Sequence, residues 1–125
     1  MGYIYSFERL EVWQESRKLV KEVYIYTKDF PDNEKYGLTK QLHRASVSIS
    51  SNIAEGSTRM SKREKTRFYE IAFGSLIEVL NQLIIANDLG YLNNKPLYDL
   101  RNQIEKIGRM LHSLTKSNTK KQKNQ

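Results

Sequence analysis

Residues 97–114 read LYDLRNQIEKIGRMLHSL, and their large aliphatic side chains, Leu97, Leu100, Ile104, Ile107, Leu111 and Leu114, recur at spacings of 3, 4, 3, 4 and 3. A strand would alternate at two, so this rhythm is the seam of a helix that buries one face. Asn94-Lys95-Pro96 comes just before it. Asn94 suits an N-cap, and proline is tolerated in a first helical turn because the N–H it lacks would have no partner there. A helix is predicted over 95–115.

Moving toward the N-terminus, Gly90 after Leu89 is a C′ stop for the preceding helix. That helix begins at Ser61-Lys62-Arg63-Glu64, a capping box in which serine and glutamate can each satisfy an orphan backbone N–H, giving a span of 62–89. Before it, Leu38, Leu42, Ala45, Ile49 and Ile53 form the inner stripe of a helix over 36–57, with Gly37 and Gly56 near its ends. A first helix over 7–29 places Trp13, Val20, Val23, Tyr24 and Thr27 on one face and ends at Phe30-Pro31, since the residue before a proline avoids the helical region. Four helices with short links predict an all-α, antiparallel up-down-up-down four-helix bundle over residues 1–114. Residues 115–125 have no large apolar side chain and contain Lys116, Lys120, Lys121 and Lys123, so a loose basic tail is expected.

The composition agrees with one folded domain: 125 residues, 38% hydrophobic and 28% charged. Cysteine is absent, which excludes disulfides and thiolate metal sites and suits the cytoplasm. No stretch reads as a leader or a membrane span, so a soluble protein that does not engage membranes is expected. The net charge of +7 is lopsided: residues 1–57 hold eight basic and eight acidic side chains, and residues 58–125 hold thirteen and six. An anionic partner, nucleic acid first, would answer that excess.

Two surfaces carry the functional reading. At 100° per residue, Phe68, Ile71, Ala72, Ser75, Val79, Gln82, Leu83 and Ala86 form the core face of the third helix, while Tyr69, Phe73, Leu76, Leu80 and Ile84 fall on a second side. Val12, Leu19 and Tyr26 repeat this weakly on the first helix. A second apolar stripe implies a homo-oligomer, or else a central helix with a broad buried arc. The other surface is basic. Arg59, Arg63 and Arg67 are four apart, with Lys62 and Lys65 beside them and Lys40, His43 and Arg44 as a potential extension. Arginine's planar fork suits phosphate, and such a face would bind nucleic acid through its backbone; a merely solvated charged face is the alternative.

Catalysis finds no footing. Lys40 and Arg109 stand three residues before His43 and His112, so the Glu-x-x-His pairs of di-iron bundles are missing, and no metal or cofactor is expected. Ser46, Ser48, Ser50 and Ser51 lack a nearby base in sequence and read as small residues for close helix packing, as does Gly74 beside Ala72 and Ser75. Glu55 and Glu78 are expected to bond polar neighbours such as Asn52, Ser75 or Gln82.

The segments FERLEVW (7–13), RASVSISSNIAEG (44–56) and RFYEIAFGS (67–75), with Leu89-Gly90-Tyr91, resemble the bacterial four-helix-bundle proteins encoded within intervening sequences of 23S ribosomal RNA genes. The likeness runs from about Phe7 to Leu114 and is most specific in the SNIAEG run and its spacing to Gly74-Ser75. It implies an antiparallel bundle, a ring-like homopentamer and a basic surface for nucleic acid. Similar accessory proteins of diversity-generating retroelements work with a reverse transcriptase and RNA, so the resemblance also implies a protein partner of that kind. Arg44, Arg59 and Arg67 match best among the basic positions, whereas Ser50 stands where the family commonly has proline, which removes the expected kink.

Overall fold

The structure, a computed structural model, describes residues 2–123. Its elements are a 3₁₀ turn (Ser6–Arg9), α1 (Glu11–Thr27), a second 3₁₀ turn (Asp32–Glu34), α2 (Leu38–Ser57), α3 (Lys62–Asp88) and α4 (Asn94–Lys123), with no strand among the described residues. The all-α four-helix bundle is as predicted. Each helix packs against its sequence neighbours, and α1 closes the ring against α4.

Side-chain pairs fix the antiparallel register. Between α2 and α3, Gln41 meets Gln82 (3.5 Å) and Ser48 meets Ser75 (2.9 Å), and farther along α2 a Cβ on Gly56 would fall 2.8 Å from Cβ of Phe68. Positions rise on α2 as they fall on α3. Between α1 and α4, Lys106 lies 3.4 Å from Glu15. At one end of the bundle therefore gather the start of α1, the end of α2, the start of α3 and the last turns of α4.

Local chemistry explains the helix ends. Ser61 Oγ accepts the Glu64 N–H at 3.1 Å, so the predicted start of α3 is met by half of a capping box; Glu64 turns its carboxylate to Arg67 instead. At the other end Gly90 takes φ +81°, Tyr91 N–H bonds Ala86 O (2.9 Å) and Gly90 N–H bonds Asn87 O (3.0 Å), a full Schellman motif. The Glu34 carboxylate accepts the Leu38 N–H at the start of α2 and the Tyr91 hydroxyl, tying together the two links at the far end.

Three expectations are corrected. The first helix starts at Glu11, because Glu8 closes the separate turn at Ser6–Arg9 by accepting the Tyr5 N–H (2.8 Å) and Leu10 is extended. Residues 115–123, expected as a loose tail, continue α4 to Lys123; Asn124 and Gln125 lie outside the described residues. Lysine and glutamine are good helix formers, extension of an existing helix needs no new nucleus, and cations favour a helix C-terminus. The third correction concerns which faces point inward.

On α1 the buried residues are Val12, Ser16, Leu19, Val23 and Thr27, so the stripe read as secondary supplies much of the core, and Tyr24 is exposed. On α3 they are Tyr69, Ala72, Leu76, Val79, Gln82, Leu83 and Ala86. Tyr69 and Leu76, assigned from sequence to an oligomer interface, are 4% and 1% exposed and belong to the chain's own core. Ile71, assigned to the core, is 44% exposed. The observed core face of α3 is centred about 40° around the helix from the face read from sequence, roughly a third of that face's arc.

Candidate nucleic-acid interface

Arg59 is not helical; it lies in the link between α2 and α3. Its guanidinium nevertheless sits 4.5 Å from the centroid of the Phe68 ring, so a cation–π contact does the positioning that helical spacing was expected to do. Arg59, Met60, Ser61, Glu64, Arg67 and Phe68 line a depression of about 430 Å³. Arg67 Nη1 is 3.9 Å from Glu64 Oε2, a loose pair between well-exposed side chains that neutralises little. Arg63 is exposed and, at 100° per residue, stands about 40° around α3 from Arg67, whereas Lys62 falls on the opposite flank, roughly 140° away. Lys65 is committed elsewhere: its ammonium donates to the Ser57 carbonyl at 2.7 Å and caps the end of α2.

Arg44 is not part of this cluster. The register sets it about twelve residues up α2 from Gly56, roughly 18 Å along the axis. It lines a different groove of about 690 Å³ between α1 and α2, with Lys35, Tyr36, Lys40 and His43. His43 stacks on Tyr24 with ring centroids 3.7 Å apart and pairs its Nε2 with Thr27 Oγ1 at 2.8 Å; burial lowers its pKa.

The apolar flank of α3 survives in reduced form. Phe73 and Ile77 are 43% and 47% exposed, Leu80 and Ile84 are half-buried, and together with Ile104 and Gly108 of α4 most of them line a groove of about 630 Å³ rimmed by Arg101, Arg109 and His112. Ile77 was missed from sequence because its place on the wheel, beyond Phe73 and Ile84, looked outward from both stripes. Apolar residues on two sides also make α3, among the described residues, the one helix long and apolar enough to cross a membrane by composition, with a mean hydropathy of 1.4 over an 18-residue window of which 33% is buried in the bundle.

Most of the polar residues weighed for chemistry bond within or between helices. Ser48 bonds Ser75 and receives Asn52 Nδ2 (3.1 Å), while Glu78 accepts from Gln82 (3.2 Å) as expected. Glu55 is exposed and forms no such bond. No group of three or more His, Asp or Glu side chains gathers as a metal site among the described residues, and nothing in the arrangement positively indicates catalysis.

A family model described as 23S rRNA-intervening sequence protein matches residues 8–113. The fold is similar to the 1.70 Å crystal structure of a protein of unknown function from the S23 ribosomal protein family of Bacteroides thetaiotaomicron, with a TM-score of 0.76, 23% identity, and coverage of 84% of this chain and 98% of that one. At that identity the likeness speaks for the fold alone. No curated protein matches the chain.

Proposed function

The chain belongs to the 23S rRNA-intervening sequence protein family, and from that premise we propose that it is a non-enzymatic, self-associating bundle that binds nucleic acid through the phosphate backbone. The observation that carries this is the fixing of Arg59 over Phe68 beside Arg67. Holding a guanidinium on a ring restricts it before a ligand arrives, which lowers the entropic cost of binding phosphate. Arg63 widens the basic surface, Lys62 adds positive charge on the other flank of α3, and the last turns of α4 lie at the same end of the bundle. Such a protein would act in the cytoplasm.

Self-association uses Phe73, Ile77, Leu80 and Ile84, the part of the α3 flank that the chain's own core leaves uncovered; the family resemblance implies a pentamer. A second reading, an accessory subunit that docks a protein partner such as a reverse transcriptase, is favoured by the same apolar groove between α3 and α4.

Filter binding of RNA and DNA duplexes tests the nucleic-acid reading. Binding should be strongest near about 50 mM salt and weaken steeply above it, and Arg63→Glu with Arg67→Glu should remove about two phosphate contacts from the salt slope. Undetectable binding at low salt, or a slope the double variant leaves unchanged, refutes it.

A further inference from the structure

The groove between α1 and α2 differs from the basic end of the bundle in the chemistry it offers. Its lining contains Lys35, Lys40 and Arg44 and no carboxylate, and none of these three cations forms an ion pair among the described residues. It also holds exposed rings. Tyr36 is 81% exposed with the Lys35 ammonium 5.6 Å from its centroid, and Tyr24, 42% exposed, is backed by the parallel His43 ring at 3.7 Å, 12° between planes. Burial lowers the His43 pKa, so near neutral pH the pair is an uncharged, rigid aromatic platform. Val47, Ser48 and Ser51 extend the groove along α2, so that from Thr39 to Ser51 it runs for about 18 Å.

We infer that this groove binds single-stranded nucleic acid, its bases stacking on Tyr36 and on the Tyr24–His43 pair and its phosphates meeting Lys40 and Arg44. Positive charge without a counter-carboxylate selects an anion, and flat exposed rings select an anion that carries planar groups. The length exceeds what a mononucleotide fills, and cations alternate with rings from Lys35 to Arg44 before the groove continues over Val47, Ser48 and Ser51, which suits a strand. A duplex hides its base faces, so it can use the cations but not the rings. The inference deepens the nucleic-acid reading but stands on a surface separate from Arg59, Arg63 and Arg67, so the two can fail separately.

The test is fluorescence anisotropy of a fluorescein-labelled oligothymidylate of about 12 nucleotides against the full chain, beside a duplex of equal length. Tyr36→Ala, at a side chain that is largely exposed, should weaken the single strand by about five-fold or more and leave the duplex unchanged. Lys40→Glu with Arg44→Glu should abolish single-strand binding, while Arg63→Glu with Arg67→Glu should leave the Tyr36 effect in place. Photocrosslinking of a bromouracil-substituted oligonucleotide should label Tyr24 or Tyr36. Circular dichroism checks that each variant folds. Single-strand binding that ignores Tyr36→Ala, or a duplex weakened equally, overturns the inference, as does a change of oligomeric state in the Lys40/Arg44 variant, which would identify a second copy as the occupant. If only the Arg63/Arg67 variant loses binding, the groove is wrong and the basic end stands; the reverse result keeps the groove and removes the basic end.

Discussion

Replacing Gly56 and Gly74 with alanine, one at a time, separates packing from helix propensity, because both glycines lie within helices and only one faces a neighbour. A Cβ at Gly56 would lie 2.8 Å from Cβ of Phe68 and 3.0 and 3.3 Å from two ring carbons of Tyr69. Carbon atoms rest at about 3.5–4.0 Å, so α2 and α3 must part by several tenths of an ångström or more at the point where the link between them is shortest. The Tyr69 ring can tilt, but Cβ of Phe68 moves only with its backbone. Overpacking of this kind costs about 1–3 kcal/mol, and the better helix propensity of alanine returns up to about 1 kcal/mol, so Gly56→Ala should be less stable by about 1.5 kcal/mol at mid-range and by up to about 3 kcal/mol. At Gly74 nothing lies within 4 Å of the added methyl group, so the same chemical change should stabilise by about 0.5–1 kcal/mol. Urea unfolding followed by circular dichroism at one fixed protomer concentration measures both, with a shift in midpoint at constant slope as the signature. A Gly56→Ala variant as stable as the parent would refute the close approach of α2 to α3, and a destabilised Gly74→Ala would show that its surroundings are not open.

Burial lowers the His43 pKa below its usual 6.5, so the unfolded chain takes up a proton at a pH where the folded one does not. Stability from this residue is complete above about 6.5 and is lost as pH falls below it, so the urea midpoint should drop as pH falls from about 7 through 6.5, and His43→Gln should flatten that decline; an unchanged slope in the variant counts against the half-buried neutral ring. Phe73→Glu and Ile77→Glu should dissociate the assembly without loss of helicity, as read by light scattering and circular dichroism, since both side chains are largely outside the chain's own core; a parent that is already monomeric ends the self-association reading. Ser61→Ala should cost about 0.5–2 kcal/mol through the lost bond to the Glu64 N–H, seen as a lower thermal midpoint, and no change would mean that the cap is not formed in solution.

Much of the fold was legible because it is written in local signals. The seam at Leu97–Leu114, the Ser61 cap and the Gly90 stop are each decided within a turn or two of chain, so sequence alone determined four helices, their order and six of their eight ends to within a residue or two. The ends it missed, before Glu11 and after Thr115, depend on a side chain closing its own small turn and on the low cost of extending an existing helix. The candidate site was only half legible. Arg59, Arg63 and Arg67 could be grouped by spacing, but Arg59 reaches them through a ring on the next helix, and Arg44 proved to be roughly 18 Å away along α2. Periodicity says which residues share a face; it does not say which way that face points. On α3, where apolar residues cover more than half of the circumference, several orientations would bury a good stripe, and the choice was made by contact with α2 and α4. That contact took Tyr69 and Leu76 inward, left Phe73 and Ile77 outside, and brought Tyr24, His43 and Arg44 to one groove that no stretch of the sequence contains.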